Sequence, residues 1–216
     1  MTSKIFILGA LICTATLGSL HAQAKDLQFG LKGGVGFSEI SNVKISNVKL
    51  ANSPRIGIQF GGVLIQQISD TFSMQYEALY SQKGLVGKLN QTLNNYDYKF
   101  DYNFNVDYLE IPILAKFKMG NQWSLYGGGH AGLVLSKKVK VTMSDSTSST
   151  DSSRETEISD DRINNLDYGF LLGAQLNITE KWQIDARYTL GLTNVFKSGD
   201  IDGKNSTISI AATYLL

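Results

Sequence analysis

From residue 27 onward the chain alternates apolar and polar residues with a period of two, which places one set on each face of an extended strand. Trp182, Ile184, Ala186, Tyr188, Leu190 and Leu192 share one face, and Gln183, Asp185, Arg187, Thr189 and Gly191 share the other. Phe72, Met74, Tyr76, Ala78 and Tyr80 stand against Ser73, Gln75, Glu77, Leu79 and Ser81 in the same way. Leu166, Tyr168, Phe170, Leu172, Ala174, Leu176 and Ile178 repeat the split against Asp167, Gly169, Leu171, Gly173, Gln175 and Asn177. A helix would mix both sets on every side. The pattern predicts strands over 27–38, 54–66, 71–83, 106–119, 123–141, 166–178, 182–192 and 205–216. Most reach the roughly 9 to 11 residues that a tilted strand needs to cross a bilayer, and exceed the roughly 5 to 6 usual in soluble sheets.

The connections alternate between short and long. Ile68-Ser69-Asp70, Gly120-Asn121-Gln122 and Thr179-Glu180-Lys181 are tight turns, while 39–53, 84–105, 142–165 and 193–204 are long and largely polar. Membrane-spanning barrels have this asymmetry, with short turns on the inner side and long loops outside. The expected fold is therefore all-β, a closed antiparallel transmembrane β-barrel of about eight strands with both termini on the short-turn, periplasmic side. A soluble, lipocalin-like barrel with an apolar interior is the alternative that alternation alone leaves open.

Three features favour the membrane. Phe29, Phe72, Phe117, Trp123, Trp182 and Tyr214 gather at the short-turn end of the apolar face, with Phe37, Tyr80 and Tyr168 toward the other end, as interfacial girdles require. The opposite face holds Gly30, Gly34, Gly36, Gly57, Gly61, Gly128, Gly132, Gly169 and Gly173 between isolated charges. A narrow lumen needs such small residues. The last residues, Ile208, Ile210, Ala212, Tyr214 and Leu216, keep strand alternation to the end, so a final strand is expected to close the sheet on the first.

Within the 216 residues, 1–24 read as a signal peptide: Lys4, an apolar run from Ile5 to Leu20, and small residues at Ala22 and Ala24 that place cleavage near 22 or 24. The barrel domain is then 25–216. Cys13 is the single cysteine and follows Ile12 rather than a small residue, so a lipoprotein signal is not expected. Removing the leader leaves no thiol for disulfides or thiolate metal sites. The 20 Lys and Arg nearly balance the 19 Asp and Glu, which excludes an electrostatic case for nucleic acid.

Candidate chemistry is sparse. Lys32, Arg55, Glu77, Glu110, Lys116, Asp185 and Arg187 project from the small-residue face. A polar pore or proton path is one reading, and an interior salt-bridge network, which a narrow barrel favours, is the other. His130 lies on the same face between Gly128 and Gly132, without a neighbouring nucleophile or second metal ligand in sequence. Gly33-Gly34-Val35-Gly36 and Gly127-Gly128-Gly129 lack the helix and the Lys-Ser/Thr pair of a phosphate loop. No catalytic, cofactor-binding or metal site is expected, and no enzyme activity. Residues 144–153, all Ser, Thr or Asp, predict a mobile external loop. Tyr96, Tyr98, Phe100, Tyr102 and Phe104 alternate with polar residues just before the fourth strand and predict an extended ribbon with one aromatic face. Those rings either bind a protein or glycan partner or pack on Leu85, Leu89 and Leu93. The apolar parity changes between Tyr108 and Leu109, which predicts a bulge or re-aimed ribbon there.

Phe29-Gly-Leu-Lys-Gly-Gly-Val-Gly-Phe-Ser38, Tyr108-Leu-Glu-Ile-Pro-Ile-Leu-Ala-Lys-Phe117, Tyr168-Gly-Phe-Leu-Leu-Gly-Ala174 and Asp185-Ala-Arg-Tyr-Thr-Leu-Gly191 together give the mature chain a resemblance. It resembles the PorT-like outer-membrane β-barrel family of Bacteroidetes, an architectural relative of small OmpA- and OmpX-type barrels. The Leu-Glu-Ile-Pro run is the most specific element. The resemblance implies an outer-membrane location among outer-membrane lipid and no single activity. The expected role is structural or surface-binding through the external loops, toward a protein or glycan. Assistance in protein secretion or envelope assembly is the alternative that one named relative suggests.

Overall fold

Strands that present one apolar face to lipid must pair along both edges, because no water is available there for a free N–H or C=O. Eight strands of this chain do so in a ring. The computed structural model describes residues 27–41, 44–45, 48–49, 52–93, 96–145, 152–159, 162–197 and 203–216. The expected signal peptide lies outside the described residues. The ring contains β1 (Leu27–Ser41), β4 (Asn52–Gln67), β5 (Phe72–Leu93), β6 (Tyr96–Met119), β7 (Trp123–Asp145), β9 (Leu166–Asn177), β10 (Trp182–Asn194) and β11 (Lys204–Leu215). Each pairs antiparallel with the next in that order, and β11 returns to β1. Two short strands, β2 (Lys44–Ile45) and β3 (Val48–Lys49), pair with each other, and β8 (Ser152–Glu157) pairs with the outer part of β7.

The stagger of the ring follows from its registers. Paired residues run from Phe29 through Leu64, Tyr76, Ile113, Gly129, Phe170, Leu190 and Ser206 to Glu39, ten residues further along β1. Eight strands with a stagger of ten tilt within the roughly 35–45° of closed barrels and leave an interior that side chains alone can fill.

The facing of the side chains decides between the two barrel types. Ile56, Phe60, Phe170 and Leu172 on the outside are each more than half exposed, with Leu172 at 65%. Lys32, Glu77, Glu110 and Arg187 on the inside are buried. The lipocalin-like alternative is corrected by this arrangement, since its apolar residues would line a cavity. The outer aromatics form the expected girdle: Phe72 packs on Phe117 and Trp182 on Tyr214, each at 5.0 Å between ring centroids. Lys181 places its ammonium 5.6 Å from the Tyr214 ring. Nearby, Gly120 turns the chain between β6 and β7 at φ +71°, a conformation that favours glycine. We expect unheated protein in dodecyl sulfate to migrate apart from boiled protein on a gel. A single band position under both treatments would contradict a closed barrel.

The expected strands meet the observed ones closely except in the middle of the chain. β5, β6 and β7 have 22, 24 and 23 residues, against 12 or 13 for β9, β10 and β11. Within the connection expected over 84–105, 96–105 is the extended ribbon expected there and 84–93 is strand as well, so that the two form a hairpin that rises past the barrel rim. The loop expected over 142–165 holds the end of β7 and all of β8, and Ile163 within it is buried. Its Ser- and Asp-rich residues 146–151 lie outside the described ones. The bulge expected at Tyr108 sits on the facing strand instead: Asp107 pairs with Ser136 and Tyr108 with Val134, which leaves Leu135 of β7 as the extra residue. β6 keeps its parity, with Phe104, Val106, Tyr108 and Glu110 all buried on the inner side. The change in pattern at Tyr108 marks an apolar stretch of interior, not a re-aimed strand.

Candidate functional site

The lumen is built in layers along the barrel axis. At the short-turn end an open vestibule of about 700 Å3 is lined by Ser73, Lys116, Ser124, Gln175 and Gln183 among others. Lys116 donates to Gln175 Oε1 at 2.9 Å, and Gln175 Nε2 donates to Asn177 Oδ1 at 2.8 Å.

Above the vestibule lies a quartet of ions. Arg187 donates through both terminal nitrogens to Glu77, at 2.8 and 2.9 Å. Lys32 reaches Glu77 at 3.2 Å and Asp185 at 2.7 Å, and Arg187 Nε meets Asp185 at 3.2 Å. Tyr126 donates its hydroxyl to Asp185 at 2.6 Å, and Gln75 donates to Glu77 at 2.5 Å. Two cations and two carboxylates cancel, and the fork of Arg187 matches its carboxylate in plane.

A second cluster follows. Lys83 contacts Glu110 at 2.5 Å and Asp167 at 3.5 Å, and its ammonium stands 5.2 Å from the Tyr108 ring centroid. His130 Nδ1 lies 3.6 Å from Glu110. Asn205 donates to Asp167 Oδ2 at 2.9 Å and to the Tyr108 hydroxyl at 3.2 Å. Between the two clusters a cavity of about 20 Å3, lined by Gln59, Ser81, His130 and Thr207, has room for one water. Among the described residues no three His, Cys, Asp or Glu side chains converge as metal ligands.

The outer mouth is closed by apolar side chains. Ile40, Phe104, Val106, Tyr108, Ile163 and Val195 are buried together, with Leu85, Val134, Ile158 and Phe196 packed around them. Phe104 lies 5.8 Å from Phe196 between ring centroids. Gly84 supports this cap from β5: its φ is +147°, and a Cβ there would come within 1.9 Å of the Phe104 carbonyl oxygen. Ser38 Oγ accepts from Gly84 N at 3.0 Å.

Each residue singled out in the sequence has a definite place. Lys32, Glu77, Asp185 and Arg187 meet in one quartet, Glu110 joins the second cluster, and Lys116 stands apart at the vestibule floor. Arg55 is only half-buried near the mouth, where its Nε donates to Asn103 Oδ1 at 3.2 Å. Lys83, Asp167, Tyr126 and Asn205 join these clusters without being among the charges that stand out in the sequence. Their even spacing from Glu77, Gly169, Ser124 and Ser209 on the respective strands marks them as inward-facing. Of the aromatic ribbon, Phe104 turns into the capped mouth and Tyr102 is half-buried. The side chains of Tyr96, Tyr98 and Phe100 lie outside the described ones. Their backbone is strand, Tyr98 pairing with Gln91 and Asp145.

Beyond the rim, β6 runs between β5 and β7, and β8 adds a fourth strand whose Arg154, Glu155 and Glu157 are exposed. Lys138 meets Glu155 at 3.0 Å, and that hydrogen bond and charge hold the lysine pKa above its ordinary value. Charged residues on such an edge discourage pairing with other chains.

Comparison with curated proteins finds no match. Among solved structures the chain is similar to Ail, the attachment invasion locus protein of Yersinia pestis, at 17% identity. That likeness covers 88% of this chain and 98% of that one, with a TM-score of 0.44. Neisserial surface protein A is similar at 12% identity over 88% and 99% of the two chains, with a TM-score of 0.46. OprG from Pseudomonas aeruginosa is similar at 12% identity over 88% and 95%, with a TM-score of 0.39. The model of the outer membrane protein beta-barrel domain matches residues 21–197. With most of its length matched by that model, and eight strands closed into a ring with apolar residues outward, this chain belongs to the outer membrane protein beta-barrel domain family.

Proposed function

We propose that this outer-membrane barrel is a structural and surface-binding protein without enzymatic activity. Its contact surface is the ribbon that β5, β6, β7 and β8 raise beyond the rim, and its partner is a protein or a glycan. The ribbon is the observation that carries this reading: three neighbouring strands nearly double the length of β9 to β11 form a platform far longer than spanning requires. An interior filled by ion clusters and an apolar cap supports a static wall over a pore. The cavity beside His130 holds no more than a water, which supports a structural part for that residue. The short turns and both termini face the periplasm, in keeping with the usual asymmetry of such barrels.

The test is capture from intact cell envelopes by the folded chain. Changing both Tyr98 and Tyr102 to Ser is expected to reduce capture at least about tenfold, a loss of about 1.4 kcal/mol, while heat-dependent gel mobility stays unchanged. Undiminished capture by the double variant rejects the ribbon as the contact surface.

A second reading, a component assisting protein secretion or envelope assembly, is supported by the PorT-like resemblance at Leu109-Glu110-Ile111-Pro112. In the barrel wall Glu110 holds Lys83, and the β5–β6 pairing is interrupted opposite Pro112, which has no N–H to give. A deletion strain with unaltered secreted proteins and envelope would remove this reading.

A further inference from the structure

We propose that the vestibule at the short-turn end is a binding site for a small oxyanion, a phosphate or carboxylate group, seated on Lys116. The cations of both ion clusters hold carboxylates. Lys32 and Arg187 share Glu77 and Asp185, and Lys83 holds Glu110 and Asp167. Lys116 is equally buried, yet its ammonium is bonded to the neutral Oε1 of Gln175 at 2.9 Å, and among the described residues it makes no ion pair. The quartet above it is already neutral, and among the described residues no carboxylate lies within ion-pair distance of Lys116. A cation so placed is costly unless a counter-charge joins it.

The surroundings suit an anion that arrives from the open end. The vestibule measures about 700 Å3, far more than one ion needs, and its floor carries hydroxyl and amide groups in place of carboxylates. Ser73 is the β5 partner of Lys116, and Ser124 is the β7 partner of Gln175 on β9. Both serines are buried and line the same space. Each hydroxyl can donate to an oxyanion, and so can the amide nitrogen of Gln183. The acidic residues of the lining, Asp70 and Glu180, stand in or beside the short turns at the rim, where Lys118 accompanies them. The carboxylates of the lining thus stand at the rim, and the floor carries the ammonium of Lys116. An apolar ligand would leave these donors unpaired, and a metal cation would meet a like charge.

Protection from acylation provides the test. The full chain, folded in a neutral maltoside detergent at pH 7, is treated with an amine-acylating reagent, and each lysine is followed by mass spectrometry. Parallel samples contain inorganic phosphate or acetate at matched ionic strength, with chloride as the reference. Either oxyanion at tens of millimolar is expected to slow modification of Lys116 about fivefold or more, as occupancy of a millimolar site requires. Lys118 and Lys181 at the rim should change less than about twofold. The ratio of the phosphate and acetate effects names the preferred group. A Lys116 that resists the reagent in chloride, or is modified equally in all three buffers, overturns the proposal. Equilibrium dialysis adds a second measure: saturable phosphate uptake by the wild type should disappear in Lys116→Met and persist in Lys118→Met. Uptake that survives Lys116→Met in a barrel of normal gel mobility also overturns it. Neither measurement involves the outer ribbon, so its outcome is independent of the surface-binding role.

Discussion

Replacing Arg187 with alanine is expected to lower the unfolding free energy of the barrel by about 3 to 5 kcal/mol, the usual consequence of stripping one partner from a buried ion network. Arg187 supplies two of the hydrogen bonds that Glu77 accepts and a third to Asp185. Without it, Glu77 and Asp185 share Lys32 alone, and the layer carries a net negative charge in a space that water barely reaches. Reversible unfolding in urea from lipid vesicles measures the loss. The penalty belongs to the abandoned carboxylate more than to the missing arginine, so changing Glu77 to Leu together with Arg187 to Met should recover much of it. Lys32 and Asp185 then remain as a pair at 2.7 Å. Lys138→Ala, which breaks an exposed pair with Glu155, should leave the transition where it is. If Arg187→Ala unfolds at the wild-type urea concentration, the quartet contributes nothing to stability and the layered interior loses its purpose.

The second large effect is expected on the opposite surface. Leu172 lies midway along β9 and is 65% exposed. If that exposure is to acyl chains, Leu172→Arg costs about 2 to 4 kcal/mol, as cationic residues do near the middle of a bilayer. If it were to water, the same change would be neutral or would improve solubility. Folding into vesicles at graded urea concentrations separates the cases, and equal stability of variant and wild type in lipid would show that this face is not buried in the membrane. The two substitutions probe opposite sides of one wall, since Leu172 pairs with Tyr188 and Arg187 with Gly173.

The wall itself was legible in the sequence wherever lipid selects one face. β9, β10 and β11 were expected within two residues of their observed ends because each alternates without interruption and stops at a polar turn. The same signal fails above the rim. From 84 to 93 the alternation is weak, since no acyl chain enforces an apolar exterior there, and residues such as Asn90 and Thr92 read as loop although they pair with Lys99 and Asp97 of the aromatic ribbon. β8 is hidden for a related reason: Ser152–Glu157 has no apolar face, and its pairing with Lys138–Met143 comes from backbone hydrogen bonds that composition does not reveal. The interior charges were legible as a class from their parity, but not their grouping, because partners such as Glu77 and Arg187 are 110 positions apart. Only the ring registers bring them to one level. Tyr108 misled for the opposite reason, as an apolar residue on the inner parity belongs to the cap and not to lipid.

The ten-residue offset acquired in one circuit of the barrel has a consequence for how errors are caught. Register mistakes add up around a closed loop, so a two-residue slip between any two neighbours changes the total to eight or twelve unless another seam slips back by the same amount. Such a slip keeps every greasy position outside and every polar one inside, and hydropathy alone therefore cannot detect it. It does move Glu77 away from Arg187 by about 6 to 7 Å along the strand, which breaks the two-pronged pair that they form in the aligned barrel. The charged layers act as a vernier: they lock only when all eight seams are aligned, and a misthreaded barrel announces itself by carboxylates with nothing to hold.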